Sequence, residues 1–174
     1  MSPIRILYII NSENIGGAEN TLINLIDGMD KNEFQINLCI LGKSPLAAQA
    51  ISRGLEVREI KTYNGKKDLF FFKNLFSLTR MVKPDIIHSH IWITNLYSCL
   101  CGRILGVPVI STFHSNHSIE TFYERLSLKI IYLFSKRIVM VSNYQLKHYG
   151  FSCKATKINV IQNGIPIFQE CPTH

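Results

Sequence analysis

The sequence lacks any long apolar run. The longest runs, Ile6–Ile10 and Ile130–Phe134, fall far short of the roughly 18 residues that a membrane-spanning helix needs. No small-residue cleavage pattern follows the first run, which therefore indicates a buried strand and not a signal peptide. We expect a cytoplasmic chain.

Paired cysteines are also missing. The chain has 5 cysteines, an odd number, and none of them stands in a C-x-x-C spacing. Cys99 and Cys101 are two apart, and residues two apart on a helix do not face each other. We expect small buried thiols in a reducing compartment, with no disulfide and no zinc site.

The bulk composition indicates one folded globular domain. The chain has 174 residues, of which 47% are apolar and 18% are charged, and this length is enough to bury a core. Its net charge of +7 suggests an anionic partner. Charge alone does not show whether this partner is nucleic acid, an anionic lipid or a phosphorylated small molecule.

Short apolar, β-branched runs alternate with segments of helical spacing along the chain. This alternation predicts a doubly wound α/β fold, a mainly parallel seven-stranded Rossmann-like sheet with helices on both faces. It would occupy residues 1–164, and residues 165–174 lose the pattern and indicate a domain exit. The predicted strands are Ile4–Ile10, Gln35–Leu41, Glu56–Ile60, Asp85–Ser89, Val107–Thr112, Arg137–Val141 and Lys157–Ile161.

Apolar residues spaced three and four apart predict the helices and the faces they bury. Two further helices are expected over residues 95–105 and 142–149, and Gly28, Pro84, Gly106 and Gly150 mark helix ends. Two predicted stripes are Leu22, Leu25, Ile26 and Met29; and Leu69, Phe72, Phe76, Thr79 and Val82. A further long helix is marked by Ile119, Phe122, Leu126, Ile130 and Leu133.

Ligands of doubly wound folds bind at the carboxyl ends of the strands. Gly16 and Gly17 follow the first strand and open a helix, where free amides and the helix dipole favour a phosphate. The pattern is not G-x-G-x-x-G, so the dehydrogenase fingerprint is absent. A simple turn capped by Ser12 or Asn14 is the alternative.

Two histidines, His88 and His90, end the fourth strand and face the same way. They predict either a shared metal site or hydrogen-bonded side chains that shape the crevice, and the apolar residues that follow favour the second. After the fifth strand come Thr112 and His114, and an imidazole there would contact a ligand. Ser142 and Asn143 follow the sixth strand, where Ser142 can serve as a helix cap or face the cleft.

Five segments in this order resemble the amino-terminal domain of the family-four retaining glycosyltransferases, which have the GT-B fold. They are Gly16-Gly17-Ala18-Glu19, Asp85-Ile86-Ile87-His88-Ser89-His90, Gly106-Val107-Pro108-Val109-Ile110-Ser111-Thr112-Phe113-His114, Val141-Ser142-Asn143 and Val160-Ile161-Gln162-Asn163-Gly164-Ile165. Together they span nearly the whole chain.

The resemblance implies a sugar transferred from a nucleotide-sugar donor, UDP- or GDP-linked, to a saccharide or lipid-linked acceptor in cell-surface glycan synthesis. It places the Gly16-Gly17-Ala18-Glu19 turn near the donor diphosphate and His114 near the transferred sugar, with Asn163 and Gly164 at the crossing to a second domain. That domain would carry the nucleotide pocket and the cations for the leaving diphosphate. The resemblance implies no metal, no other cofactor and no nucleic-acid partner, and a chain that is inactive alone.

Basic and aromatic residues cluster in two segments, between Lys61 and Lys83 and around 122–137. Such a surface can lie on an anionic membrane. In the first segment Phe70 and Phe71 fall off the predicted buried stripe, which favours a surface role over a purely structural one.

Two other functions fit the residues alone. One is a non-catalytic carbohydrate- or lipid-binding module that reuses the fold. The other is half of a sugar-nucleotide epimerase, which explains the glycine turn but less well the segment Ser111–His114.

Overall fold

A computed structural model describes residues 2–61, 69–115, 119–151 and 156–164. It contains a sheet of seven parallel strands in the order β3-β2-β1-β4-β5-β6-β7, which confirms the predicted fold. The strands are β1 (Ile4–Asn11), β2 (Phe34–Leu41), β3 (Glu56–Ile60), β4 (Ile86–His90), β5 (Val109–Phe113), β6 (Arg137–Met140) and β7 (Ile158–Val160).

Each predicted strand lies within two residues of an observed one. The helices are α1 (Gly17–Asp27), α2 (Leu46–Ser52), α3 (Leu69–Val82), α4 (Trp92–Leu105), α5 (Phe122–Phe134) and α6 (Asn143–His148). Sequence analysis missed α2, a helix of 7 residues whose buried side chains are Leu46 and Ala50.

The strand order reverses between β1 and β4, and this reversal positions the site. β1 pairs with β2 on one side and with β4 on the other, all in parallel. The carboxyl ends of β1, β4, β5 and β6 therefore lie at one edge of the sheet, in lateral sequence. In such folds a ligand crevice opens at this point.

Two apolar clusters, one on each face of the sheet, form the core. One cluster joins β1, β4, β5 and β6 to α3, α4 and α5, and the other joins β1 and β2 to α1 and α2. The described thiols of Cys39, Cys99 and Cys101 are free and buried, as expected, and burial raises the pKa of Cys39 and of Cys101 to about 12. Cys153 and Cys171 lie outside the described residues.

Several predicted helix faces are wrong. In α3 the side chain of Phe71 is 1% exposed and lies in the core, whereas Leu69 is 81% exposed. Phe71 therefore has no surface role, because its ring packs edge-on against Tyr97 of α4. Only Phe70, 51% exposed, keeps the predicted surface position.

The helix α5 buries few of its apolar side chains. Phe122, Leu126 and Leu133, which mark this helix in the sequence, are all exposed, and the helix buries Ser127 and Ile131. The backbone oxygen of Ile131 faces the Cys99 thiol of α4, so the helix turns a narrow face inward. In α1, similarly, Leu25 is exposed and Ile23 is buried.

Candidate functional site

A cavity of about 610 Å³ lies between α1, the face of β4–β6 and the segment after β7. Six of the sequence-predicted site residues line it: His88, His90, Thr112, His114, Asn163 and Gly164. The sequence analysis missed Thr21, Asn24, Leu25 and Asp27 of α1, and Val139, Val141, Ile161 and Gln162. Val141, Ile161 and Gln162 lie in segments that resemble the family, but those segments do not show which side chains face the cavity. No motif marks the residues of α1, which face the cavity only through the packing of that helix against the sheet.

His88, His90 and His114 form a stack of rings at the wall of this cavity. The rings of His88 and His90 are 4.5 Å apart, and those of His90 and His114 are 5.0 Å apart. Nε2 of His88 lies 2.8 Å from Oγ1 of Thr112, and Nδ1 of His90 lies 2.7 Å from Nε2 of His114. The two β4 histidines therefore face one site, as predicted.

Burial keeps these imidazoles uncharged. It lowers the pKa of His88 to about 4, with a smaller contribution from the charge of His114. It also lowers the pKa of His114 to about 4, although the nearby Glu19 carboxylate acts in the opposite direction. The pKa of His90 falls well below its ordinary value, chiefly through burial and further through its two histidine neighbours. At neutral pH the wall presents neutral rings, which are hydrogen-bonding groups and not cations.

The end of β4 is held by a strained turn and a buried amide. Ile91 has φ +76° and ψ +149°, a region that costs a β-branched residue on the order of 1–3 kcal/mol. Its N–H donates to the carbonyl of Thr112. Asn95, fully buried, donates to the same carbonyl and accepts from Ser89. These bonds fix β4 against β5 where His90 and Thr112 face the cavity.

The glycine turn lies at the same edge of the sheet but outside the cavity wall. Gly16 precedes α1, and its N–H donates to the Glu19 carboxylate at 2.9 Å. The alternative of a turn capped by Ser12 or Asn14 is wrong, because Gly16 is the N-cap of α1 and no side chain caps it. Oγ of Ser12 instead bonds the Asn14 carbonyl and Oγ of Ser44. A Cβ on Gly17 would meet no atom within 4 Å.

Glu19 interacts both with the glycine turn and with His114. Its side chain is 7% exposed, and its charge acts on His114. Gly17 and His114 therefore lie at one edge of the sheet and not at opposite edges.

Ser142 and Asn143 stand apart from the cavity. Oγ of Ser142 accepts from the Gln145 amide at 3.3 Å, so this residue serves as a cap of α6. Asn143 is exposed at the first position of that helix. Among the described residues, no group of three potential ligands is arranged to hold a metal ion. In the same part of the chain no helix is both long enough and apolar enough to cross a membrane.

Comparison with known proteins decides the family. The family model that describes glycosyltransferase family 4 sequences matches residues 15–167 of this chain. The chain belongs to glycosyltransferase family 4. This assignment confirms the predicted resemblance and favours a transferase over the binding module and the epimerase half.

Named relatives agree with the family. The chain is 27% identical over 135 residues to EpsF of Bacillus subtilis, a protein named as a glycosyltransferase, covering 74% of this chain and 35% of that protein. It is 23% identical over 188 residues to an Escherichia coli UDP-Gal:alpha-D-GlcNAc-diphosphoundecaprenol alpha-1,3-galactosyltransferase, covering 98% of this chain and 47% of that enzyme. This family-four chain thus spans less than half the length of either relative.

A solved structure supports the fold. Anabaena HepE in complex with UDP superposes with a TM-score of 0.75 at 16% identity, covering 93% of this chain and 44% of that protein. The Rossmann-like sheet therefore corresponds to one half of a GT-B fold.

Proposed function

We propose that residues 1–164 form the acceptor-side domain of a retaining glycosyltransferase. The glycosyltransferase that contains this domain transfers a sugar from a nucleotide-sugar donor to a saccharide or lipid-linked acceptor, in cell-surface glycan synthesis. The observation that carries the proposal is the cavity at the strand-order reversal, whose wall combines His114 with Asn163 and Gly164. Residues 165–174 then lead into a second domain, consistent with relatives more than twice as long as this chain.

Each predicted residue has a role in this proposal. His114, neutral and half-buried, contacts the transferred sugar, and the open space above Gly17 lets a diphosphate approach the amides that begin α1. His88, His90 and Thr112 shape the wall, and Glu19 holds the turn through Gly16. Ser142 and Asn143 begin α6 outside the cavity wall, and the role of Ser142 is to cap that helix. No metal or other cofactor has a role in the reaction.

The donor is a UDP-sugar, with a GDP-sugar as the alternative to be tested. Two proteins similar to this chain support UDP: HepE was solved with UDP, and the Escherichia coli relative is named for UDP-galactose. A lipid-linked acceptor is supported by the diphosphoundecaprenol in the same name.

The longer protein that contains this chain should transfer sugar from a UDP-sugar with retention of the anomeric configuration. A panel of UDP- and GDP-sugars would be supplied with lipid-diphosphate and free saccharide acceptors. Release of the nucleotide and the anomeric proton couplings of the product measure transfer and stereochemistry. An inverted product contradicts the retaining mechanism, and binding of a saccharide without transfer supports the non-catalytic module instead.

We further propose that α5 carries the enzyme's contact with an anionic membrane. Four apolar or aromatic side chains of α5 are exposed: Phe122 (73%), Tyr123 (71%), Leu126 (44%) and Leu133 (69%). The exposed basic residues Arg125 and Lys129 lie among them. We name these six residues the α5 surface. Phe122, Arg125, Leu126 and Lys129 repeat at helical spacing, so apolar and basic groups share one face. The helix begins at the edge of the sheet where the strands carry the site, which suits an acceptor whose lipid stays in the bilayer.

Binding to anionic vesicles should depend on both the charge and the apolar groups of the α5 surface. Reversing Arg125 and Lys129 to Glu should remove about 2 kcal/mol of attraction, because each basic residue near such a surface is worth about 1 kcal/mol, and the two new carboxylates should add repulsion. Flotation with phosphatidylglycerol vesicles at low and high salt measures this loss, and Phe122→Ser with Leu126→Ser tests the apolar part.

The matched control reverses two exposed charges elsewhere, Lys31→Glu with Arg58→Glu. This control should bind like the unaltered chain. Binding that is independent of salt, or lost equally in the control, rules out the α5 surface as the membrane contact.

A further inference from the structure

A single hydrogen bond joins the two rings of His90 and His114. Its nitrogens, Nδ1 of His90 and Nε2 of His114, are 2.7 Å apart. Nε2 of His90 and Nδ1 of His114 are buried and have no hydrogen-bond partner among the described residues. Within that part of the chain, the four ring nitrogens of the pair therefore make one hydrogen bond.

Neutral imidazoles allow two arrangements of protons. Each neutral ring carries one N–H, and one ring must donate to the other. If His90 donates, its proton is on Nδ1 and the proton of His114 is on Nδ1 as well. If His114 donates, both protons are on Nε2.

The two arrangements differ in where the unpaired N–H lies. In the second it is on Nε2 of His90, a ring that is 1% exposed. In the first it is on Nδ1 of His114, which is also buried although the ring as a whole is half-buried at the cavity wall. A buried N–H without an acceptor is rare in proteins, and because both nitrogens are buried, burial alone does not choose between the two arrangements.

The charges around the pair favour the first arrangement, in which His90 donates. Among the described residues, the titratable groups whose rings face His90 are Tyr8 of β1, His88 of β4 and His114, and none of them is an anion at neutral pH. His114 additionally experiences the Glu19 carboxylate of α1. A negative charge stabilises an N–H on the ring nearest to it.

The backbone holds His90 where it can donate. Thr94 donates its hydroxyl to the carbonyl of His90. The strained Ile91 follows, held by its own N–H bond to Thr112. The orientation of His90 is therefore set by the fold and does not depend on a ligand.

We propose that His90 is a positioning residue that donates its Nδ1–H to Nε2 of His114 and so holds His114 in the Nδ1–H tautomer. The importance of this tautomer for sugar transfer rests on the proposed function, whereas the hydrogen bond itself does not. His90 acts through His114 and does not itself contact the reacting atoms.

Nitrogen-15 NMR of histidine-labelled chain at pH 7 tests the bond directly. Nδ1 of His114 should show the chemical shift of a protonated nitrogen and Nε2 that of a bare one. In His90→Phe the ratio of the two His114 tautomers should change about tenfold, the effect of one hydrogen bond. His90→Asn, whose amide N–H can take the place of Nδ1, should restore the original ratio. A His114 protonated on Nε2 in the unaltered chain, or a ratio unchanged in His90→Phe, overturns the proposal.

Kinetics of the longer protein separate this proposal from the proposed function. His90→Phe should lower kcat about tenfold with KM for the donor within about twofold, and His90→Asn should recover most of the loss. If the tautomer is as expected but no sugar is transferred by the unaltered protein, the proposed function fails and the positioning role stands. If transfer occurs and His90→Phe leaves both kcat and the tautomer unchanged, the positioning role fails alone.

Discussion

Replacing His114 with alanine in the longer protein should lower kcat about 100- to 1,000-fold, the usual cost of losing one oriented group that stabilises a transition state. The ring lies half-buried at the cavity wall, with a neutral form secured by burial. Its hydrogen bond to His90 fixes its orientation before any substrate arrives. An oriented neutral imidazole acts on the reacting sugar without reorganising, and alanine removes both the ring and its orientation.

The matched control is His148→Ala, which removes an exposed imidazole from α6. Steady-state kinetics with a UDP-sugar would compare the two variants, and the midpoint of urea unfolding would check that both stay folded. Wild-type turnover in His114→Ala would remove this residue from the site. A midpoint lowered only in His114→Ala, in proportion to the lost activity, would assign it a structural role instead.

The strands could be predicted because a parallel sheet buried on both faces needs continuous apolar runs, and few other structures do. The helix faces could not be predicted with equal success. In α5 apolar residues occupy most of the circumference, so the period of 3.6 does not single out one face. The buried face is set by packing against α4, where the Cys99 thiol of α4 meets the Ile131 carbonyl of α5.

The site, like the fold, could be predicted from the sequence only in part. His88, His90 and His114 were predictable because each lies at or just after the carboxyl end of a strand, and parallel strands end at one edge. The bond between His90 and His114 was not, because it depends on β4 and β5 being neighbours in a register that pairs His90 with Thr112. The contribution of α1 was also missed, since Thr21 and Asn24 lie in an ordinary amphipathic helix and face the cavity only through its angle on the sheet.

The 174-residue chain by itself should show no sugar transfer above background, even at saturating donor and acceptor. The leaving diphosphate gains negative charge in the transition state, and oriented cations are needed to stabilise it. Among the described residues, the wall of the cavity contains no lysine or arginine, and Asp27 is its one charged side chain. Neutral histidines cannot supply the missing charge. Loss of even two cationic contacts at 100-fold or more each would lower the rate by at least about 10,000-fold.

The measurement compares nucleotide release by the chain alone, by the longer protein and by an equimolar mixture of the chain with the separately produced remainder. Only the longer protein should be fully active, and the mixture should recover part of its rate if the two parts reassociate. The mixture made with His114→Ala is the matched control, because it preserves the surfaces that reassociate and removes the proposed contact to the sugar. Turnover by the chain alone within tenfold of the longer protein would mean that the cations for the leaving group lie within residues 1–174, contrary to the proposed division of the site between two domains.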